Sequence, residues 1–352
     1  MEGNIPNIIH IMQEEIENPV SLHEIQERLW LGNLTAASDI KVINEHKITH
    51  IITLDLVPLR RQITELSELT TKFVQIADVP KEDILSHFED CYNFIDNCLQ
   101  ENGTVLVHCY YGMSRSATIV IAYVMKKNNM PFDEAFELVK SKRKFVHPNH
   151  GFQHQLKLYE KMGYIIDKNY PKFRDFRLKI AADQVKKVKI LPQTSIDLIK
   201  PDPGVVQVKP EPLVYRCKKC RRIVASQSNI ITHLDREAQI NHKLKEKHRI
   251  RHLTAEELAA ENEGNKNADD VPEEEIEICR KTYFIEPLAW MKDICQNTQG
   301  KLYCPKCNNK IGSFSWIMGC QCPCGSKVSP AFYLVPSKVE WSNVVQNVQV
   351  TV

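Results

Sequence analysis

Between residues 21 and 166 the chain alternates short apolar runs with longer amphipathic ones. "ERLWLGN" (27–33), "ITHIITLD" (48–55), "KFVQIAD" (72–78) and "TVLVHC" (104–109) have the length and content of strands. "ILSHFEDCYNFIDNCLQ" (84–100) places Ile84, Leu85, Phe88, Cys91, Tyr92, Ile95 and Leu99 at helical spacing, and Asn102-Gly103 ends the run. "SATIVIAYVMKKN" is apolar on most sides, which predicts a buried helix with lysines in its last turn. Pro131 opens a further helix, "PFDEAFELVKSKR", and "PNHGFQHQLKLYEKMGY" (148–164) closes the series. Strands alternating with helices predict an α/β domain over 21–166, with helices on both faces of a largely parallel sheet.

The pattern then fades. "KFRDFRLKIAADQVKKVK" is basic and "LPQTSIDLIKPDPGVVQVKPEP" is proline-rich, so 167–213 reads as a linker. From Tyr215 cysteines recur, which predicts a small second domain over 214–340, rich in β structure and loops. Inside it, 243–277 runs from basic to acidic with few apolar residues and reads as a mobile insert.

Composition narrows the class. The 352 residues are 43% hydrophobic and 26% charged, as in soluble globular chains, and a net charge of +2 names no partner. The first twenty residues carry acids where a secretory signal has cations, and the longest strongly apolar stretch, Ala117 to Met125, is far short of the ~20 residues that span a bilayer. An intracellular protein with no membrane partner is expected. Of the cysteines, three fall at 91, 98 and 109 and nine after 216. In a reducing compartment such a cluster reads as metal ligands rather than disulfides.

Cys109 stands apart from the rest. In "VHCYYGMSRSA" it ends a buried strand, and an apolar helix follows six residues on. A loop so placed turns the backbone N–H groups of Tyr110, Tyr111, Gly112, Met113, Ser114 and Arg115 around one point, and the helix aims its positive end there. Such a nest binds a phosphate dianion. Gly112 allows the tight turn. Arg115 can grip two phosphate oxygens with its planar fork. The same field lowers a thiol from about 8.5 toward about 3.5–7.5, making Cys109 a thiolate able to attack phosphorus. Ser116 is placed to hydrogen-bond that thiolate, and His108 to orient the loop. The leaving oxygen needs a proton, for which Asp78, Asp55 and Asp83 are the candidate acids. Cys91 and Cys98 read as core residues; either could act as a resolving thiol in a weaker, redox-sensing alternative.

"VHCYYGMSRSA" resembles the H-C-x5-R-S/T signature of cysteine-based protein tyrosine phosphatases, and the flanks "ERLWLGN" and "PNHGFQHQL" are similar to its dual-specificity branch. The resemblance covers roughly 21–166. It implies that Cys109 is the nucleophile, that Arg115 binds phosphate and stabilises the transition state, and that Asp78 is the acid. It further implies that Asn149 supports the active-site loop, that phosphotyrosine and phosphoserine/threonine of proteins are substrates, and that the catalytic site needs no metal.

In the second domain, "YRCKKCRR" gives Cys217 and Cys220, followed by His233 and Cys279. "LYCPKCNNK" gives Cys304 and Cys307, followed by Cys320, Cys322 and Cys324. Two C-x2-C knuckles with later soft ligands suit closed tetrahedral zinc sites. The expected grouping is Cys217, Cys220, His233 and Cys279 for one structural ion, and Cys304, Cys307, Cys322 and Cys324 for a second. His242 competes with His233, and Cys320 with Cys322; Cys295 reads as a buried thiol. The metal is expected to replace a core too small to hold this domain. The basic knuckle, with Tyr303 and "FSW" (314–316) nearby, could touch RNA, although the same cations also offset thiolate charge. "YRCKKCRR", "TYFIEPLAWM" and "LYCPKCNNKIGSFSW" together resemble a subfamily of dual-specificity phosphatases with a C-terminal zinc-binding domain. That resemblance implies a place in both nucleus and cytoplasm, and a role in maturation of the large ribosomal subunit through pre-60S particles.

Overall fold

A computed structural model describes residues 19–205, 211–236 and 278–343. It divides into two compact units, Met1–Phe173 and Arg174–Val352.

The first unit is built on five strands: β1 (Leu22–Gln26), β2 (Leu29–Gly32), β3 (His50–Asp55), β4 (Thr70–Gln75) and β5 (Val105–His108). Their order is β1-β2-β5-β3-β4; β1 and β2 form an antiparallel hairpin and the other pairings are parallel. The helices are α1 (Leu34–Ser38), α2 (Ile40–Glu45), α3 (Arg61–Thr64), α4 (Phe88–Gln100), α5 (Arg115–Asn128), α6 (Phe132–Lys142) and α7 (His150–Lys161). The pleat sorts them. Leu106 and Ile51 pack with Ala37, Ile43 and Ile63 on one face, while Val105 and Val107 point the other way by alternation. All four residues of β5 are buried, and so are the first eleven of α5. Central burial explains why both read as unbroken apolar runs. α4 ends where Asn102 takes a left-handed φ of 61°.

Parallel strands put their carboxyl ends on one edge, and that edge is where this sheet collects its chemistry. Asp55 ends β3, Cys109 follows β5, and Asp78 lies three residues beyond β4. The strand expected over 72–78 therefore stops early, and Asp78 sits on a loop. The short hairpin partner β1 was not foreseen.

The second unit contains α8 (Pro171–Val188, from Arg174 onward), β6 (Leu213–Cys217), β7 (Ile223–Ser226), β8 (Tyr283–Phe284), β9 (Gln299–Tyr303), β10 (Lys310–Ser315), β11 (Cys320–Gln321), β12 (Lys327–Val328), β13 (Ala331–Leu334) and β14 (Val339–Asn343). They form sheets β8-β13-β10-β9 and β14-β6-β7, and the hairpin β11-β12. Two expectations are corrected here. The segment read as a linker contains an 18-residue helix whose Leu178, Ala181 and Val185 form a buried stripe in this unit's core. Nor is that core slight: it holds Trp290, Trp316, Phe314, Phe332 and Met291, with both indole N–H groups bonded to backbone carbonyls, Trp290 to Val224 at 2.9 Å and Trp316 to Ile294 at 2.8 Å. Burial of Phe314 and Trp316 removes "FSW" from any RNA-binding surface and leaves Tyr303 exposed. The insert expected at 243–277, and His242, lie outside the described residues.

Candidate active site and metal centres

Every carbonyl on the back of the 110–113 loop is tied to the scaffold. Tyr110 O accepts from Leu34 N at 3.2 Å, and Met113 O from His147 N at 2.9 Å. Tyr111 O accepts from Arg143 Nη2 at 3.1 Å, and Gly112 O from Arg143 Nε at 2.9 Å. A peptide whose oxygen is held outward turns its N–H inward, so these four bonds fix the amides as an anion nest. Gly112 is indispensable to the turn. Its φ is 70°, and a Cβ there would lie 2.5 Å from Gly32 O and from Arg143 Nη2.

Cys109 is buried at the floor of this nest. Its sulfur accepts from Gly112 N at 3.2 Å and from Ser116 Oγ at 3.1 Å. Both donors point a hydrogen at the sulfur. α5 begins at Arg115, so its N-terminus faces the same sulfur. His108 is fully buried, and burial pushes its pKa down to about 4, so the ring stays neutral; its Nε2 lies 2.9 Å from Thr53 Oγ1. That contact fastens β5 to β3 just below the nucleophile.

Arg115 is buried and held from behind. Nη1 donates to Asp55 Oδ1 at 2.9 Å and to Ile76 O at 3.3 Å, while Nε has no hydrogen-bond partner among the described residues. Asp55 is thus the counter-ion that aims the guanidinium. Asp83 caps the turn before α4 through Ser86 N at 3.0 Å and Ser86 Oγ at 2.7 Å, away from the nest. Asp78 is the carboxylate at the mouth. Its Oδ1 accepts from Ser114 Oγ at 2.7 Å and Asn149 Nδ2 at 2.8 Å, and Oδ2 lies 4.0 Å from Arg115 Nε. Ser114 Oγ in turn accepts from Asn149 N at 3.1 Å. One triangle of hydrogen bonds therefore joins the acid loop, the phosphate loop and the start of α7. Tyr110, Tyr111 and Met113 are exposed at the rim.

Two contributors were not read from the sequence. Arg143 is completely buried and binds two loop carbonyls. Burial pushes its pKa down to about 10 while charge on Cys109 acts in the opposite direction, so the side chain remains a cation. Gln155 is buried on α7 and holds the far end of the acid loop. Its Oε1 accepts from Ile84 N at 3.0 Å and Leu85 N at 2.9 Å, and its Nε2 donates to Glu82 O at 2.8 Å. Asn149 caps α7 by accepting from Phe152 N at 3.0 Å, so one residue serves the helix and the acid.

Residues 29–162 match the family described as "Dual specificity phosphatase, catalytic domain". "Dual specificity protein phosphatase MPK-4" of Drosophila melanogaster is 48% identical, over 95% of this chain and 91% of that protein. The chain belongs to the dual-specificity protein phosphatase family. "Dual specificity protein phosphatase 12" of Mus musculus and of Homo sapiens are each 33% identical, over 90% of this phosphatase and 87% of theirs.

The phosphatase also carries two ligand quartets in its second unit, with their members exchanged relative to the sequence expectation. Cys217 and Cys220 meet Cys304 and Cys307; His233 and Cys279 meet Cys322 and Cys324. The donor atoms of each quartet lie within 4.8 Å of one another. Sulfur separations of 3.7 Å (Cys217–Cys307), 3.5 Å (Cys220–Cys304) and 3.6 Å (Cys279–Cys322) compare with about 3.8 Å between thiolates of tetrahedral zinc with Zn–S near 2.3 Å. Burial pushes Cys279 and Cys304 up to about 12, while Cys307 and Cys324 in the same quartets lie lower, at about 7 and about 6; a bound dication would favour the thiolate form of all of them. The residues fit zinc.

The exchange has a structural reason. The β6–β7 and β9–β10 corners are equivalent knuckles: Arg221 N bonds Cys217 O at 2.8 Å with Arg221 φ at 65°, and Asn308 N bonds Cys304 O at 2.9 Å with Asn308 φ at 53°. Ile231 N to Phe284 O (2.8 Å) and Cys279 N to His233 O (3.0 Å) zip His233 onto Cys279. Cys320 stays outside the second quartet, and Cys295 is half-buried rather than buried. Cys91 and Cys98 are buried in α4, where desolvation raises both thiols, Cys91 to about 12. Neither is a ready thiolate for the redox alternative.

Proposed function

We propose that this phosphatase hydrolyses protein phosphoesters through a phosphocysteine. The observation that carries the reading is the outward tethering of the loop carbonyls around a sulfur that accepts two hydrogen bonds at a helix N-terminus. The substrate phosphate sits among the amides of 110–115, with two oxygens on Arg115. Cys109 Sγ attacks phosphorus as the bond to the leaving oxygen breaks, and protonated Asp78 supplies that oxygen's proton. Water then attacks the phosphorus, Asp78 takes its proton, and the S–P bond breaks with Ser116 stabilising the departing thiolate. Cys109→Ser should abolish turnover of para-nitrophenyl phosphate in the purified chain while phosphate still binds; a serine variant with wild-type turnover would refute the scheme.

We further propose that the zinc unit carries the protein to large-subunit ribosomal precursors, in nucleus and cytoplasm. The family resemblance supports this. So do the solvent-facing Tyr303 and Trp341, on a unit that also carries the basic knuckle Lys218, Lys219 and Arg221. A chain that lacks one quartet through Cys217→Ser and Cys307→Ser should lose co-sedimentation with those particles; unchanged co-sedimentation would sink the idea.

A further inference from the structure

Arg143 is a buried cation that no carboxylate pairs among the described residues. Nη1 donates to Ser21 Oγ at 3.0 Å, to His23 Nδ1 at 2.8 Å and to Leu31 O at 3.5 Å. Nε and Nη2 take the carbonyls of Gly112 and Tyr111. The Phe145 ring lies 4.2 Å from its Cζ. Every one of these acceptors is neutral. Among the described residues, no carboxylate oxygen comes within 4.0 Å of the guanidinium. Arg115, by contrast, has its charge answered by Asp55. A guanidinium has no acceptor atom, so Nδ1 of His23 must be the unprotonated nitrogen and the ring must be neutral. Burial, and after it the charge of Arg143, holds that ring below the usual histidine range.

We propose that His23 and Ser21 are positioning residues that keep the charge of Arg143 uncompensated, so that its field falls on the Cys109 sulfur and helps hold the nucleophile as a thiolate. Carboxylates in their place would make the hydrogen bonds equally well and would cancel the field. At an effective dielectric near 20, a unit charge roughly 10–12 Å away is worth about one pKa unit to a thiol.

The proposal rests on the reading of Cys109 as an ionised nucleophile. It is tested with an isosteric pair in the full-length chain, His23→Asp and His23→Asn. Alkylation of the Cys109 peptide by iodoacetamide is followed by mass spectrometry across pH. The aspartate variant should titrate about one unit higher than wild type, reacting about tenfold more slowly at a pH below the wild-type midpoint. The acid limb of kcat/KM should move up with it. The asparagine variant should keep the wild-type midpoint. Coincident midpoints for the two variants would overturn the proposal, since a merely structural role does not distinguish aspartate from asparagine. Ser21→Asp against Ser21→Asn places the same charge on the same Nη1 from a half-exposed position, and decides the matter if the His23 variant does not fold. Turnover of para-nitrophenyl phosphate by wild type is measured alongside. Its absence would count against the phosphocysteine reading, whereas normal turnover with coincident midpoints counts against this inference alone.

Discussion

Asp78 shows how much a single side chain depends on its neighbours. It lies outside regular structure, and three contacts hold it at the mouth: Ser114, Asn149 and, more distantly, Arg115. Asp78→Asn keeps the shape and removes the proton. It should lower kcat on a phosphoserine peptide by about 10²–10⁴-fold. An aryl phosphate with a good leaving group should suffer much less, and comparing the two substrates checks the assignment. The nucleophile, the phosphate-gripping arginine and the serine beside the thiol were legible in the chain because they share one short motif whose spacing is set by a single loop. Arg143 was not. In "KSKRKF" it is one cation among several at a helix end, where lysines and arginines commonly sit in solvent. Only the fold shows that this one turns inward. Gln155 was hidden for a related reason: a polar residue on an amphipathic helix reads as exposed until something is seen to cover it.

The acid loop is positioned less by its own sequence than by α7. Gln155 binds one end of it and Asn149 the other, and between them Gly151 lets Pro80 lie directly on the helix. A Cβ at Gly151 would fall 1.9 Å from Pro80 O, a backbone atom that cannot swing aside. Gly151→Ala should therefore push the loop off the helix. The expected result is a fall in kcat on alkyl phosphates, with the alkylation rate of Cys109 little changed, because the phosphate loop hangs on Arg143 and His147 instead. Paired rate measurements on one preparation check this. The amphipathic helices of this unit were readable from periodicity because each buries a face, and β5 and α5 from unbroken apolar runs because they are buried throughout. α8 escaped for the opposite reason. Its stripe of Leu178, Ala181 and Val185 is narrow, and the surrounding lysines made the segment look solvated throughout.

Across the whole molecule, the phosphate loop and the two ligand quartets occupy units with separate cores. All eight ligands were visible as residue types, yet their grouping was not, because proximity in sequence says little about which hairpin corners two sheets bring together. The interleaving gives a sharp expectation. Cys217→Ser with Cys307→Ser should cost one zinc per chain, since both belong to one quartet. Cys217→Ser with Cys322→Ser should cost two. Metal analysis of the two purified double variants separates this arrangement from the sequential one, in which the outcomes would be the same two-ion loss for either pair.

The pairing of Cys279 N with His233 O, and of Ile231 N with Phe284 O, closes a stem around residues 237–277. A quartet with members on both sides clamps the stem at its base. With those two ends pinned together, lengthening the chain between them adds only slowly to the closure entropy, roughly 0.6 kcal/mol per doubling. Doubling the number of residues between Arg236 and Ile278 should therefore cost the quartet at their base little stability.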